Sequence, residues 1–195
     1  MSIIYEPSGM AREYSPYACN LYIGCSHLCK YCYAPRVLQR RAESYFCVPK
    51  PRRDVLKYLE KDLQAKSYKK QILLSFVGDV YCRTTDNSQT TRAALELLNR
   101  YNAPVAVLSK GGSKMLRDID VFKTFGERIM VGTTLTFLDD DKSREWEPGA
   151  TPPGERLDVL MELRRAGIKT LASFEPVLEP AESLKLIERT LRDDR

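Results

Sequence analysis

Apolar residues recur at helical spacing in several stretches of this chain. From residue 52 to about residue 65, Val55, Leu56, Leu59 and Leu63 fall on one face of a helix whose other side carries lysines. Comparable patterns predict helices elsewhere along the chain. The predicted helices cover residues 35–42, 52–65, 87–101 and 113–125, a segment that ends at residues 164–167, and residues 181–192.

Short apolar runs separate these helices. The run at residues 71–77 is bounded by turn residues and ends at Gly78 and Asp79. Such a run is typical of a strand that is buried on both faces of a parallel sheet. The predicted strands cover residues 19–23, 71–77, 104–108, 128–134 and 168–173, and the predicted loops include residues 44–51 and 139–153.

Strand and helix alternate about five times, which predicts an α/β fold with a parallel sheet. Right-handed crossovers curl such units toward a barrel. A complete eight-unit barrel needs about 250 residues, so a chain of 195 residues predicts a partial (β/α) barrel of five or six units. The sequence ends on a helix that no strand follows, and we expect a C-terminally truncated barrel. We expect one core domain over residues 1–195, with residues 1–18 as an N-terminal arm.

The composition narrows the class of protein. Hydrophobic residues make up 43% and charged residues 29%, as in ordinary globular domains. Neither a membrane-spanning run nor a signal-peptide pattern is present in the sequence, so we expect a cytoplasmic protein. The net charge of +5 permits an anionic partner. The single histidine, His27, excludes metal sites that need two or more histidines.

Three of the six cysteines lie within eight residues, at Cys25, Cys29 and Cys32. A loop can turn three such thiols toward one centre, and soft thiolates favour zinc or an iron–sulfur cluster. A closed zinc site needs four ligands, whereas a four-iron cube held by three thiolates leaves one iron open for chemistry. In the zinc alternative, the fourth ligand is Cys19, Cys47 or His27.

The cysteine spacing resembles that of a known family. Cys-x3-Cys-x2-Cys with Tyr31 just before the last cysteine resembles the signature of the radical S-adenosylmethionine (radical SAM) enzymes. The longer text NLYIGCSHLCKYCYAP, residues 20–35, is similar to the branch related to spore photoproduct lyase, often called DNA repair photolyase-like. The resemblance implies a partial barrel, with a 4Fe-4S cluster held by the three cysteines. It also implies S-adenosyl-L-methionine on the open iron and a one-electron donor such as flavodoxin or ferredoxin.

Polar residues follow the predicted strands at the point where each strand ends. Because the carboxyl ends of parallel strands meet at one edge of a sheet, we expect these residues to face one cavity. That argument does not depend on the family. The residues in question are Gly78 and Asp79, Ser109 and Lys110, Thr133 and Thr134, and Glu175.

The resemblance implies cofactor contacts for several of these residues. It sets Tyr31 near the adenine, and Ser109 with Lys110 near the cofactor carboxylate. Gly78 and Asp79 replace a Gly-Gly-Glu type of segment that binds the methionyl amine in the family, which is a departure from the pattern. The alternatives are a packing tyrosine, a simple turn and a solvated lysine.

Two further residues have parallels in the branch. Glu175 is predicted to contact the ribose or the ammonium group, and its alternative is a salt bridge at the barrel mouth. Cys82 is predicted to return hydrogen to the product radical, although it lies several residues from the expected position. Cys19 and Cys47 are predicted to be inert buried thiols.

A basic run follows the cysteine loop. Arg36, Arg40, Arg41, Arg52 and Arg53 are predicted either to bind nucleic-acid phosphates or to form solvated helix faces. The acidic residues 139–141 are predicted to be a loop tip.

The leading hypothesis is a radical SAM enzyme that acts on a nucleic-acid lesion or modification. The second is a radical SAM enzyme for a peptide or small metabolite, and the third is a non-enzymatic iron–sulfur or zinc protein.

Overall fold

A computed structural model describes residues 2–82 and 88–192. Its main sheet has six strands in the order β1-β2-β5-β6-β7-β8, and strands β3 and β4 form a separate antiparallel pair. All neighbours in the main sheet are parallel except β1 and β2. The strands are β1 (Ile4–Tyr5), β2 (Tyr17–Cys19), β3 (Tyr22–Ile23), β4 (Lys50–Pro51), β5 (Ile72–Leu74), β6 (Val105–Ser109), β7 (Ile129–Thr134) and β8 (Lys169–Ser173).

Helices connect the parallel strands, as the alternating pattern predicts. The predicted α/β class and the partial barrel with five parallel strands are therefore confirmed. The helices are α1 (Ala11–Tyr14), α2 (Ala34–Val37), α3 (Ala42–Tyr45), α4 (Val55–Ala65), α5 (Ser88–Arg100), α6 (Ile119–Thr124), α7 (Asp140–Trp146), α8 (Pro153–Arg165) and α9 (Pro180–Arg192), with 3-10 turns at Gly112–Asp118 and Gly126–Arg128.

The main core lies between the sheet and the helices. Ile72 is in register with Val105, and Val105 with Ile129, so these side chains share one face of the sheet. They pack with Leu59 of α4 and Leu95 of α5. Burial of each such side chain stabilises the fold by about 1.5–3 kcal/mol.

The opposite face of the sheet lines the inside of the partial barrel. Ala18 is in register with Leu73, Leu73 with Ala106, and Ala106 with Met130. Together with Tyr14 they belong to a second, smaller apolar cluster. Alanines in the middle of this face leave room inside the barrel.

The first predicted strand, residues 19–23, is wrong in its bounds. Strand β2 stops at Cys19, where the Asn20 side-chain oxygen accepts hydrogen bonds from the backbone of Phe76 and Val77. A polar side chain thus ends the strand, and Tyr22–Ile23 pairs with β4 instead.

Other bounds also differ from the prediction. The predicted helix over residues 35–42 is split into α2 and α3, with Gln39 at positive φ between them. The predicted loop at residues 44–51 contains β4. The predicted start of α5, residue 87, lies outside the described residues, and the arm contains β1 and α1.

The prediction of a loop tip at residues 139–141 is also wrong. Asp139 caps α7 by accepting hydrogen bonds from the backbone of Asp141 and Lys142, which satisfies two free amides at the helix start.

Across residues 2–82 and 88–192, no helix has both the length and the apolar character needed to cross a membrane.

Candidate radical SAM site

The cysteine loop (residues 25–32) joins β3 to α2 and lies at the carboxyl end of the main sheet. Cys25 and Cys29 are buried and Cys32 is half-buried. Leu28 has a φ of 58°, a left-handed conformation that costs a leucine about 1–2 kcal/mol. The loop therefore makes a tight turn between its first two thiols, and the Cys25 amide is tied to the Tyr45 carbonyl at 3.1 Å.

The surroundings of these thiols suit a thiolate-bound cluster. Cys25 belongs to an apolar cluster with Tyr45, Val77 and Cys82. Burial raises the pKa of Cys29 to about 11, although the nearby charge of Lys110 opposes that rise. A metal centre provides the positive charge that such buried thiolates need. Cys25 and Cys32 adjoin this apolar cluster and Cys29 is buried, so the three soft donors fit an iron–sulfur cluster held by Cys25, Cys29 and Cys32.

Cys82 lies against the first thiol of the loop. Its Sγ is 3.5 Å from the Cys25 Sγ and 3.3 Å from the Ser26 amide nitrogen. Within the described part of the chain, Cys25, His27 and Cys82 form the one group of three potential ligands whose donor atoms all lie within 4.8 Å of one another. A single ion would need such close spacing, whereas a four-iron cube separates its thiolates more widely.

The zinc alternative loses two of its three fourth-ligand candidates. Cys19 is buried in the main core, where burial raises its pKa to about 12, and Cys47 is exposed after α3. His27 remains close, but its Nε2 is 2.8 Å from Asp79 and its Nδ1 is 3.2 Å from the Gly149 carbonyl.

Asp79 connects the cysteine loop to the neighbouring strand. Its Oδ2 contacts His27 Nε2 at 2.8 Å and accepts from the Lys110 amide at 2.7 Å. Its Oδ1 accepts from the Ser109 hydroxyl at 2.7 Å and the Tyr81 amide at 2.8 Å. Burial disfavours the charge, but His27 and these hydrogen bonds outweigh burial and lower the Asp79 pKa to about 2.

These four contacts give Asp79 a positioning role. Both of its oxygens already have partners within the chain. Its predicted contact with a methionyl amine stays a prediction. Gly78 is at positive φ, and its backbone is held by Tyr45 and Ser75. Its cofactor role stays a prediction as well.

The covering segment (residues 146–151) packs onto the cysteine loop. The Trp146 carbonyl accepts from the Lys30 amide at 2.8 Å, and the Gly149 amide donates to the His27 carbonyl at 2.9 Å. The Thr151 amide donates to the Lys110 carbonyl at 3.1 Å. One segment therefore ties the loop to the end of β6.

Gly149 is required by this close approach. A Cβ at this position would overlap the Ser26 carbonyl oxygen, which is backbone and has little freedom to move. We expect Gly149→Ala to push the covering segment off the loop and to cut the iron bound after reconstitution by more than about half, at a cost of a few kcal/mol in unfolding free energy. Iron and sulfide analysis, with thermal melting, measures both effects.

Gly154→Ala is the matched control. No heavy atom lies within 4 Å of a Cβ at Gly154, which is in the first turn of α8. There, alanine is expected to raise stability by about 0.4–1 kcal/mol. Equal iron contents in the two variants would contradict the role of Gly149.

A buried ion cluster lies beside the loop. Arg156 and Glu147 form an ion pair that is almost completely buried, and Lys110 Nζ is 3.8 Å from the other Glu147 oxygen. The Tyr31 hydroxyl donates to Glu147, and Lys110 lies 5.7 Å from the Tyr31 ring centre. Burial and the Glu147 charge raise the Tyr31 pKa. The charges of Arg156 and Lys110 outweigh burial and lower the Glu147 pKa.

Sequence reasoning missed Glu147 and Arg156. Arg156 precedes Leu160 by four residues and therefore lies on the apolar face of α8. An arginine in an apolar stripe is a signal for a buried ion pair. Glu147 carries no comparable signal, because its partners are distant in sequence.

Thr136 lies between Glu175 and this cluster, because its hydroxyl is 3.2 Å from the Tyr31 hydroxyl and donates to the Glu175 carbonyl at 3.4 Å. The Tyr14 hydroxyl donates to Glu175, and both residues line a cavity of about 530 Å³ with Met130, Leu171 and Ser173. The cavity opens to the inner face of the sheet. Asp79, Ser109 and Lys110 contact one another beside the loop and Glu175 lines this cavity, so a single cavity shared by all strand-end residues stays a prediction.

The five arginines of the basic run lie in two different places. Arg36, Arg40 and Arg41 are exposed just after the loop. Arg52 and Arg53 line a separate cavity of about 370 Å³ near β3 and β4.

The chain matches known proteins over most of its length. The family described as the Radical SAM superfamily matches residues 19–193. An uncharacterized protein of Methanocaldococcus jannaschii is 31% identical over 166 residues, which cover 83% of this chain and 60% of that protein. An uncharacterized protein of Acidianus two-tailed virus is 26% identical over 96% of this chain and 67% of its own length.

Solved structures share the fold. A cysteine-to-serine mutant of spore photoproduct lyase superposes with a TM-score of 0.74 at 16% identity, over 97% of this chain and 54% of the lyase. A double mutant of that lyase, with bound AdoMet and dinucleoside spore photoproduct, gives a TM-score of 0.73. The chain thus spans about half the length of the lyase and 60% of the Methanocaldococcus protein.

The cysteine loop, the partial barrel and the family match all indicate the same family. The family that the cysteine spacing predicts is confirmed by the match over residues 19–193, which contains all three loop cysteines. The chain belongs to the Radical SAM superfamily.

Proposed function

We propose that the chain holds a 4Fe-4S cluster through Cys25, Cys29 and Cys32 and cleaves S-adenosyl-L-methionine reductively. The observation that carries this proposal is the setting of the three loop thiols, of which Cys25 and Cys32 adjoin one apolar cluster and Cys29 is buried. When bound, the cluster supplies one electron to the sulfonium, which yields methionine and a 5′-deoxyadenosyl radical.

The residues beside the loop are suited to orienting this cofactor. Lys110 is half-buried and cationic, which suits the methionyl carboxylate. The Tyr31 ring offers a face for the adenine. Asp79 holds the backbone of Lys110 and the His27 side chain, so it would act on the cofactor through them.

The reacting group of the substrate would bind in the cavity beside Glu175. It is lined by apolar Met130 and Leu171 and by the polar atoms of Tyr14, Ser173 and Glu175. Such a mixed wall suits a nucleoside or another uncharged group with hydrogen-bond donors. A contact from Glu175 to a ribose fits this wall.

The hydrogen-donor role of Cys82 remains a prediction. The thiol is buried against Cys25, and the apolar cluster that contains it differs from the one on the inner face. A donor must reach the substrate radical, so this position favours support of the loop over hydrogen return.

We further propose a nucleic-acid lesion or modification as the substrate. The lyase with the same fold is described with a dinucleoside spore photoproduct bound. The exposed Arg36, Arg40 and Arg41 beside the loop would meet phosphates. A peptide or small metabolite is the second candidate, because the cavity selects for shape and hydrogen bonding without a phosphate contact. A flavodoxin or ferredoxin is the proposed electron donor.

The test is 5′-deoxyadenosine release after anaerobic reconstitution, with dithionite and S-adenosyl-L-methionine. We expect release above the rate of a cluster-free sample. Absence of release from a chain with four irons and four sulfides would overturn the enzymatic proposal and leave a non-enzymatic iron–sulfur protein.

Salt dependence separates the two substrate classes. A nucleic-acid substrate is supported if nucleic-acid binding weakens steeply as the salt concentration rises. Binding is then expected to weaken further in a variant with three substitutions, Arg36→Gln, Arg40→Gln and Arg41→Gln. Binding that is absent at low salt favours the peptide or metabolite.

A further inference from the structure

We propose that Glu147, anchored by Arg156, is a positioning residue that fixes Lys110 where it receives the cofactor carboxylate. The inference rests on the proposed function and adds a residue to it. Its basis is the geometry of four side chains that come from the cysteine loop, the end of β6, the covering segment and α8.

Glu147 is held rigidly from one side. Its Oε2 pairs with Arg156, whose guanidinium also donates to the Thr134 carbonyl at 2.8 Å and contacts the Ser143 hydroxyl at 3.4 Å. Thr134 is the last residue of β7, so the arginine ties Glu147 to the sheet. The side chains of Arg156 and Glu147 are 0% and 1% exposed, which leaves them little freedom to move.

The other carboxylate oxygen faces the site. Oε1 accepts from the Tyr31 hydroxyl and lies 3.8 Å from Lys110 Nζ. Lys110 is therefore held between the Tyr31 ring and Glu147, beside the loop that carries Cys29. A flexible lysine stem loses its rotational freedom in this arrangement before the cofactor arrives, which favours binding.

The charges of the cluster are not balanced. Arg156 neutralises Glu147, so the positive charge of Lys110 remains without a full counter-charge in a largely buried place. A buried cation of this kind calls for an anion. The cofactor carboxylate is one candidate, and the thiolate-bound cluster is the other.

The test compares two ligands in one titration series. Dissociation constants of S-adenosyl-L-methionine and of its decarboxylated analogue are measured by equilibrium dialysis, on chain reconstituted to equal iron content. We expect the wild type to prefer the carboxylated ligand by at least about tenfold, or about 1.4 kcal/mol. In Glu147→Gln the preference is expected to fall by about fivefold or more, because the Lys110 contact is lost while the bond of the carboxylate to the open iron remains.

Two further variants control for folding and charge. Glu147→Gln leaves Arg156 buried without its partner, so a double variant, Glu147→Gln with Arg156→Gln, restores neutrality and is expected to lose the preference equally. Glu145→Gln changes an exposed residue in the last turn of α7, two positions before Glu147, that pairs with Lys30 at 3.0 Å, and it is expected to keep the wild-type preference.

The outcomes separate the two proposals. Loss of affinity by the same factor for both ligands, or an unchanged preference in the folded double variant, would overturn the positioning role. An unchanged preference, with less iron taken up by Glu147→Gln before the iron contents are matched, would assign Lys110 to the cluster and overturn the positioning role. Absence of binding to a fully loaded wild type would overturn the proposed function, and this inference with it.

Discussion

Replacement of Cys29 by alanine is expected to reduce both bound iron and 5′-deoxyadenosine release to background. Cys29 is the middle thiol of the loop, and two remaining thiolates would leave a second iron without a protein ligand. The same result is expected for Cys25→Ala and Cys32→Ala. Anaerobic reconstitution, iron and sulfide analysis and the cleavage assay measure the effect.

Cys47 and Cys82 supply the matched controls. Cys47→Ala is expected to retain iron and activity, because Cys47 is exposed and lies outside the loop. Cys82→Ala is expected to retain iron, since the proposed cluster does not use this thiol. If Cys82→Ala lost its iron while Cys29→Ala retained it, the metal would belong to the close group of Cys25, His27 and Cys82.

Local patterns predicted the helices and strands that follow one clear hydrophobic period. Helix α4 buries Val55, Leu59 and Leu63, which are three of the four positions that the helical spacing indicates. Strand β5 lies within the apolar run at residues 71–77. In each case the information is contained in a few neighbouring residues, because burial on one face imposes a period on the sequence.

The site depends on contacts that neighbouring residues do not encode. The Asp79–His27 contact joins residues 52 positions apart, and the Tyr31–Glu147 hydrogen bond joins residues 116 positions apart. The strand-end rule correctly brought Asp79, Ser109 and Lys110 to one edge. It did not predict the contact of Asp79 with His27, because His27 comes from a loop whose path depends on Gly149 and Leu28.

The end of β2 illustrates the same limit. Residues 19–23 read as one apolar strand apart from Asn20. The Asn20 oxygen accepts from two amides that follow β5, and those bonds form only when the sheet is assembled. A single polar residue therefore divides the run, and the cysteine loop starts from a different sheet than its sequence pattern suggests.

Asp79→Ala is expected to lower the unfolding free energy by about 3–5 kcal/mol, because it leaves His27 without its buried partner. It also removes acceptors for the Ser109 hydroxyl and for the Lys110 amide. Urea unfolding of the cluster-free chain under reducing conditions measures the loss. Asp120→Ala is the control: that carboxylate is exposed and pairs with Arg92, so the expected loss is about 0–1 kcal/mol.

The dependence on pH tests the electrostatic origin of this loss. The Asp79 pKa is lowered to about 2, so its contribution is complete above the unfolded pKa near 4 and disappears as the pH falls toward 2. Burial lowers the His27 pKa, but the charge of Asp79 outweighs burial and raises it to about 10. The contribution of His27 is therefore complete below about pH 6.5 and is lost as the pH rises toward 10. The difference between wild type and Asp79→Ala should be largest between these limits, and a difference that did not change from pH 3 to pH 9 would instead indicate lost packing as its cause.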